Sequence, residues 1–200
     1  MSPSPEFWKK KTLGELEFVA MDTETTGLEA SSRIIELAGV RFSLERELGV
    51  FPSVLIHPSV PIPPQSTEIH GITDEMVRQS PRFEVVIERF LRFGENAVWL
   101  AHNAWFDVKM LSGEFRRLSR PFPSLCFLDT YALSRCYLPQ LPNHRLQTVA
   151  AHFQLNTEGL HRAQKDAFLV KEIFLRLFAH RPSLLLEELG PLFPALFNEV

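Results

Sequence analysis

The sequence predicts an α/β domain with a mixed β-sheet, and the order of its segments indicates this class. Three strand-like segments come first and are separated by short turns, which is typical of an antiparallel meander. From Ser66 onward helical and strand-like segments alternate, which favours strands joined by helices. The chain has 200 residues, 45% of them hydrophobic, which is enough for one domain with a single well-filled core.

The predicted strands are short and apolar, and several are rich in β-branched residues. They cover residues 16–23, 33–42, 49–57, 97–101 and 125–128. The predicted helices are recognised by apolar residues at spacings of three and four. They cover a region that starts at residue 66 and includes 83–91, then 104–118, a segment from about 130, 146–153 and 162–179.

The two ends of the chain differ from this central part. Residues 1–14 are rich in Pro and Lys and are expected to form a flexible lead-in, followed by a domain over residues 15–180. Residues 181–200 form an apolar tail interrupted by prolines. The tail either packs back on the domain, which is the favoured interpretation, or docks on a partner.

Composition excludes several classes of protein. The net charge of −3 gives no sign of nucleic-acid binding, although an enzyme that holds a few nucleotides needs only a local positive strip. Cys126 and Cys136 form no CxxC pair, which indicates free thiols in a reducing compartment, by default the cytoplasm, rather than disulfides or a zinc site. No apolar run reaches about 18 residues, so no membrane span is expected, and the N-terminus does not resemble a signal peptide.

The segment F-V-A-M-D-T-E-T-T-G-L, residues 18–28, carries two acids in an unusual position. In a strand, Asp22 and Glu24 lie on the same face and repel each other. The segment contains no Lys or Arg that could compensate them. A bound metal ion is therefore the simplest partner.

Two further aspartates lie where a solvated acid is not expected. Asp107 follows the predicted strand 97–101, at the kind of junction where α/β sheets hold their sites; a first-turn acid favoured by the helix dipole is the alternative. Asp166 lies on the buried edge of the apolar stripe of the last helix, so it must be paired or bind a metal. Arg162, four residues earlier, is the alternative ion-pair partner of Asp166.

A histidine completes the set. His161 precedes Asp166 by five residues, and on one continuous helix the two side chains would point well apart. Both can face one site if His161 lies on the approach to the helix, just after Gly159, where it becomes a candidate general base. Four carboxylates suit hard cations such as Mg²⁺ or Mn²⁺, and a pair of such ions can promote phosphodiester hydrolysis.

Three motifs occur in order: D-T-E-T-T-G-L (residues 22–28), H-N-A-W-F-D (102–107) and H-R-A-Q-K-D (161–166). Together they resemble the motifs of the DnaQ-like, DEDDh 3′–5′ exonuclease family. I-H-G-I-T (69–73) is similar to a loop of proofreading exonucleases of the DNA polymerase III epsilon and PolC types. C-F-L-D-T (126–130) and H-R-L-Q-T-V-A (144–150) are similar to further family segments, and the whole match covers roughly residues 16–178.

The resemblance implies a ribonuclease H-like fold, with a five-stranded mixed sheet in the order 3-2-1-4-5 flanked by helices. It implies that two divalent cations, Mg²⁺ or Mn²⁺, bind to Asp22, Glu24, Asp107 and Asp166, and that His161 deprotonates the attacking water. It assigns substrate contacts to Thr25, Thr26, Leu28, Ile69 and His70, and we also expect Phe106 to pack near the terminal base and Asn103 to bind the sugar or phosphate. For Asn103 a structural role at the strand end fits equally well.

The implied activity is release of nucleoside 5′-monophosphates from a single-stranded or frayed DNA 3′ end, in proofreading or repair. An RNA 3′-exonuclease of the same family, like RNase T or oligoribonuclease, is the main alternative. A polymerase-associated subunit that docks through its C-terminal tail is compatible with catalysis. An inactive scaffold is disfavoured because all five site residues are present, and an RNase H-like endonuclease because its chemistry does not require His161.

Overall fold

The structure, a computed structural model, describes residues 5–189 and contains a five-stranded sheet in the order β3-β2-β1-β4-β5. The strands are β1 (Phe18–Thr25), β2 (Ile34–Phe42), β3 (Glu47–Leu55), β4 (Val98–Ala101) and β5 (Phe127–Asp129). β2 pairs antiparallel with both β1 and β3, whereas β4 pairs parallel with both β1 and β5. The predicted mixed sheet and its strand order are confirmed.

Helices cover both faces of the sheet. They are α1 (Pro5–Lys9), α2 (Pro64–His70), α3 (Asp74–Val77), α4 (Phe83–Phe93), α5 (Ala104–Arg117), α6 (Thr130–Tyr137), α7 (Leu146–His152) and α8 (Ala163–Phe178). Single 3₁₀ turns occur at Leu13–Glu15 and Leu186–Leu189. Within residues 5–189, no helix combines the length and the apolar character needed to cross a membrane.

The central strand β1 is buried on both sides, which explains its continuous apolar sequence. Phe18 and Ala20 belong to one core layer, together with Phe174 of α8. Val19 and Met21 point the other way, into a second layer that is filled largely by α4 and α5. Because side chains alternate along a strand, Asp22 and Glu24 continue the face covered by α8.

The two ends of the described chain pack against each other. Leu13 N donates to Leu184 O at 2.8 Å, and Leu186 N donates to Lys11 O at 2.9 Å. Residues 5–14 therefore differ from the loose lead-in expected from the sequence, because Trp8 and Leu13 are buried in the core. Residues 181–189 pack back on the domain, while the rest of the predicted tail, 190–200, lies outside the described residues; the division into three segments stays a prediction.

Candidate metal centre and active site

The candidate site lies at the carboxyl end of β1. Carboxylate oxygens of Asp22, Glu24 and Asp166 all lie within 4.8 Å of one another. The first two come from β1, and α8 supplies the third from its first turn. Like charges this close are unfavourable unless protons or a cation neutralise them.

These three residues fit a hard divalent cation. Asp166 Oδ1 is buried and has no hydrogen-bond partner within residues 5–189, which is unusual for a buried polar atom. A bound cation would provide the missing interaction. The three-residue group offers carboxylate oxygens and neither Cys nor His, and this is the donor set that Mg²⁺ and Mn²⁺ prefer.

Asp107 approaches the same strand end from the other side of the sheet. It lies in the first turn of α5, is 3% exposed, and its Oδ1 accepts a hydrogen bond from Thr23 Oγ1 at 2.8 Å. It does not belong to the three-residue group, but its charge helps to raise the pKa of Asp22. The structure thus brings three of the predicted ligands into one cluster and places the fourth beside it.

Burial raises the pKa of all four carboxyl groups. Desolvation raises the pKa of Asp22 well above its ordinary value, and repulsion from Asp107 and Asp166 adds to this. Desolvation also raises the pKa of Glu24 to about 8, that of Asp107 to about 7 and that of Asp166 to about 6. At neutral pH a nearby positive charge would therefore favour the ionised form of the cluster.

His161 lies outside α8, as its proposed role requires. It is exposed and has a left-handed backbone with φ of 64°, two residues after Gly159, which has φ of 76°. Its backbone N–H donates to Asp166 Oδ2 at 3.2 Å. The helix begins at Ala163, so helical geometry does not force the His161 ring away from Asp166.

Glu36 is a further buried acid beside the site, and the sequence did not predict it there. It lies on β2 directly opposite Glu24 and is completely buried. It accepts hydrogen bonds from Arg162 Nη2 at 2.7 Å, from Ala163 N at 3.0 Å and from the Ser53 hydroxyl. Burial acts to raise its pKa, but the hydrogen bonds from Arg162, Ser53 and Ala163 and the charge of Arg162 together hold the pKa below its ordinary value.

The signal that could have identified Glu36 is its place as the one acid in the apolar strand segment I-I-E-L-A-G-V, residues 34–40. The partner of Glu36 also bears on the surroundings of Asp166. The sequence offers Arg162 as the alternative ion-pair partner of Asp166, but in the structure Arg162 forms its ion pair with Glu36. Asp166 therefore keeps a carboxylate oxygen available for a cation.

The predicted substrate residues fall into two groups. Leu28 and Ile69 are 72% and 60% exposed, although large apolar side chains usually avoid water. The loop that carries Leu28 is held by Lys109 Nζ, which donates to Leu28 O at 3.1 Å. Asn103 is also exposed, while Phe106 is half-buried and packs against the core.

The other three predicted substrate residues are buried and are used within the protein. Thr25 Oγ1 donates to Gly27 O at 2.7 Å. Thr26 Oγ1 accepts from Arg33 N at 2.9 Å. His70 Nδ1 accepts from Ile72 N at 3.0 Å, and burial lowers its pKa. These side chains shape the turn after β1 and the end of α2.

A cavity of about 670 Å³ opens beside the acids. Its lining includes His102, Asn103, Tyr131, Arg145, His161 and Asp166. One wall is fixed by His102, whose Nε2 lies 2.8 Å from His144 O and whose Nδ1 lies 3.0 Å from Thr130 Oγ1. The cavity is large enough for a nucleotide and combines an aromatic ring with a cation.

Comparisons with known proteins agree with this geometry. The family model RNase_T, an exonuclease family, matches residues 19–174. The DNA polymerase III subunit epsilon of Treponema pallidum (strain Nichols) is 41% identical over 166 residues, which cover 82% of this chain and 77% of that protein. A PolC-type DNA polymerase III of Caldanaerobacter subterraneus subsp. tengcongensis is 36% identical over 164 residues, which cover 82% of this chain but 12% of that much longer protein.

Solved structures show the same fold. Exonuclease X in complex with 5′-overhanging duplex DNA is 25% identical, with a TM-score of 0.68 over 88% of this chain and 99% of that chain. The nuclease domain of 3′hExo, a DEDDh family member bound to rAMP, has a TM-score of 0.73 over 84% of this chain and 94% of that chain. At 15% identity the second likeness concerns the fold alone.

Proposed function

The chain belongs to the RNase_T exonuclease family, and on that premise we propose that it is a metal-dependent 3′–5′ exonuclease acting on DNA. The observation that carries the proposal is the cluster of Asp22, Glu24 and Asp166, with oxygens within 4.8 Å of one another, beside an exposed His161. An array of carboxylates with an adjacent proton acceptor suits phosphodiester hydrolysis.

We assign cation binding to Asp22, Glu24, Asp107 and Asp166, with two Mg²⁺ or Mn²⁺ ions as the expected cofactors. When bound, such ions neutralise phosphate charge and make water easier to deprotonate. His161 accepts the proton of the attacking water at a ring nitrogen. The water oxygen bonds to the phosphorus of the terminal nucleotide, and the bond between that phosphorus and O3′ of the preceding nucleotide breaks. This O3′ takes up a proton from solvent, so the products are a nucleoside 5′-monophosphate and a shortened strand with a 3′-hydroxyl group.

Leu28, Ile69 and Phe106 are proposed to contact the terminal base, because the first two expose large apolar side chains. Asn103 is proposed to bind sugar or phosphate from the rim of the cavity. Thr25, Thr26 and His70 are each buried, and we propose that they act indirectly by stabilising the backbone that carries this surface.

DNA is the proposed substrate because the 41% identical relative is named a DNA polymerase III subunit and the exonuclease X structure contains duplex DNA. A single-stranded or frayed 3′ end is expected, and proofreading or repair is the expected context. For the same reason we propose a DNA polymerase as a partner and the cytoplasm as the location. The predicted docking tail falls partly in residues 190–200, outside the described part of the chain.

The test uses single-stranded DNA and RNA of one sequence, each labelled at the 5′ end. With Mg²⁺ or Mn²⁺ the wild-type protein should shorten the DNA one nucleotide at a time, and EDTA should stop the reaction. Asp22→Ala should lower the rate at least about 10³-fold with an unchanged circular dichroism spectrum, because the cluster loses one of its acids. Glu45→Ala, at an exposed acid between β2 and β3, is the matched control and should keep full activity.

Full activity of Asp22→Ala would contradict the proposed site. Faster shortening of RNA than of DNA would replace the DNA proposal with the exoribonuclease alternative. Cleavage of a closed circular DNA would exclude an enzyme that acts from the 3′ end.

A further inference from the structure

The ion pair between Glu36 and Arg162 lies beside the proposed catalytic centre but is neither a metal ligand nor part of the proposed substrate surface. The Glu36 side chain is fully buried, whereas that of Arg162 is 45% exposed. Arg162 uses its Nη2 at 2.7 Å and its Nε at 3.2 Å to bind the Glu36 carboxylate. An arginine held through two nitrogen atoms in this way is fixed in orientation as well as in position.

Glu36 also holds the start of α8. The residue that precedes this helix, Arg162, makes no side-chain capping bond, although the first N–H groups of a helix need an acceptor from outside the helix. Glu36 Oε2 accepts from Ala163 N at 3.0 Å and therefore replaces the missing cap. The negative charge at this helix end is also favourable for the helix dipole.

The neighbouring strand β3 strengthens the same attachment. The Ser53 hydroxyl donates to Glu36, and Ser53 N donates to Gln164 Oε1 at 3.0 Å. Two strands are thereby tied to the first residues of α8. The first turn of this helix also carries Asp166, so the attachment sets where the helix meets the acid cluster.

His161 lies directly before this attachment. A residue with a Cβ adopts a left-handed backbone at a cost, and such a conformation persists when the surroundings determine it. On one side His161 is held by its N–H bond to Asp166 Oδ2, and on the other it is joined to Arg162, which is bound to Glu36. Two carboxylates from different elements thus determine the path of the backbone at His161.

We propose that Glu36 and Arg162 are positioning residues, which fix the backbone of His161 so that its imidazole reaches the water to be deprotonated. The proposal rests on the proposed function, in which His161 is the base. It differs from a phosphate-binding role for Arg162, because Nε and Nη2 of the guanidinium group are already engaged by Glu36. The pair should therefore affect kcat and leave substrate binding largely unchanged.

The test compares Arg162→Gln with Arg145→Gln, since Arg145 lines the cavity and is placed to meet a phosphate. Arg162→Gln should lower kcat about 10-fold with KM within about 2-fold of wild type, because an incorrectly placed base slows the proton transfer. Arg162→Lys should recover part of the loss, since it restores the charge without the two-nitrogen contact. Arg145→Gln should raise KM and reduce its dependence on salt concentration, with a smaller change in kcat.

A double substitution distinguishes the pair from two independent effects. If Glu36 and Arg162 act as one unit, Glu36→Gln combined with Arg162→Gln should lower kcat no more than the larger single effect. Circular dichroism and thermal unfolding of each variant show whether it folds. If Glu36→Gln does not fold, the comparison of the Arg162 variants still tests the proposal. The Arg162 side chain is nearly half exposed, so its replacement is expected to leave the protein folded.

A rise in KM with unchanged kcat in Arg162→Gln would overturn the proposal and assign Arg162 to phosphate binding. Wild-type kcat and KM in that variant would overturn it as well. His161→Ala serves as the separate control: if it turns over as fast as wild type, the assignment of His161 as the base fails, whatever the Arg162 variants show, while the exonuclease function itself is tested by Asp22→Ala.

Discussion

Thr23 shows how one residue links the two sides of the site. It lies between Asp22 and Glu24 on β1, so its side chain points to the opposite face of the sheet from theirs. There its hydroxyl donates to Asp107 Oδ1 at 2.8 Å. Desolvation raises the pKa of Asp107 to about 7, and the bond from Thr23 opposes this increase. Thr23 is therefore expected to keep Asp107 available as a metal ligand.

Replacing Thr23 with valine keeps the branched shape and removes the hydroxyl group. We expect the Mn²⁺ concentration that gives half-maximal exonuclease activity to rise about 10-fold, because Asp107 loses the bond that favours its ionised form. The measurement is a Mn²⁺ titration of activity at pH 7. Thr12→Val is the matched control, since Thr12 Oγ1 also donates to a carboxylate, that of Glu15, which does not belong to the acid cluster. An unchanged Mn²⁺ requirement in Thr23→Val would contradict this role.

The sequence could predict which residue types gather at the site but not how each side chain is oriented. Asp22 and Asp166 stand out because an acid within an apolar pattern needs a partner. Glu36 meets the same criterion, but its partner Arg162 lies far along the chain and no local spacing connects them. His70 and Thr25 belong to motifs, yet burial of their side chains follows from packing that no single segment determines.

Every predicted strand and helix has a counterpart in the structure, and the differences lie mainly at the ends of these elements. The first strand begins at Phe18 rather than at residue 16, because Leu16 closes the 3₁₀ turn at Leu13–Glu15. The fifth strand is placed at Phe127–Asp129, and Asp129 then caps α6 by accepting from Tyr131 N. Such boundaries depend on hydrogen bonds that hydrophobic periodicity does not encode.

Helix α1 is not predicted from the sequence, because it is short and its stability comes from tertiary packing. Trp8 is 5% exposed and belongs to the same core layer as Leu186 and Leu189, whereas its neighbour Phe7 is 49% exposed. An isolated helix of five residues would not be stable in water. The docking of Trp8 therefore accounts for the packing of residues 5–14 on the domain.

Trp8→Ala should lower the free energy of unfolding by about 3 kcal/mol, because a buried aromatic side chain is lost and a cavity remains. Activity per folded molecule should stay close to wild type, because Trp8 lies at the opposite end of the sheet from the acids. Its neighbours Asn96 and Cys126 come just before the first residues of β4 and β5. Urea denaturation with an exonuclease assay measures both. Phe7→Ala, at the exposed neighbour, should cost less than about 1 kcal/mol. Equal small effects of both substitutions would indicate a loose lead-in, as the sequence alone predicts.

The well-buried sheet holds an acid cluster that is unfavourable without a cation. The strand order 3-2-1-4-5 places β1 in the centre, so its last residues are covered by helices from both faces. This burial raises the pKa of the clustered acids. Holding them together in the folded protein lowers its stability when they are ionised, which is a cost often found at functional sites. Glu36 has the opposite effect on the free energy of unfolding, because its pKa in the folded protein is lowered. Its contribution to stability is present above pH 4.5 and is lost as the pH falls below that value.

The acid cluster should make the metal-free protein less stable as the pH rises. The pKa of Glu24 is raised from 4.5 to about 8, so between these values the folded state binds more protons than the unfolded state, and stability declines with increasing pH. In EDTA we expect Tm to fall by roughly 5 °C between pH 5.5 and pH 8.5. Millimolar Mn²⁺ should remove most of this decline, because a bound cation favours the ionised carboxylates. Asp22→Asn should flatten the decline without metal and abolish the Mn²⁺ effect, since one charge of the cluster is gone. Equal pH slopes for wild type and Asp22→Asn in EDTA would show that the pH dependence arises elsewhere in the molecule.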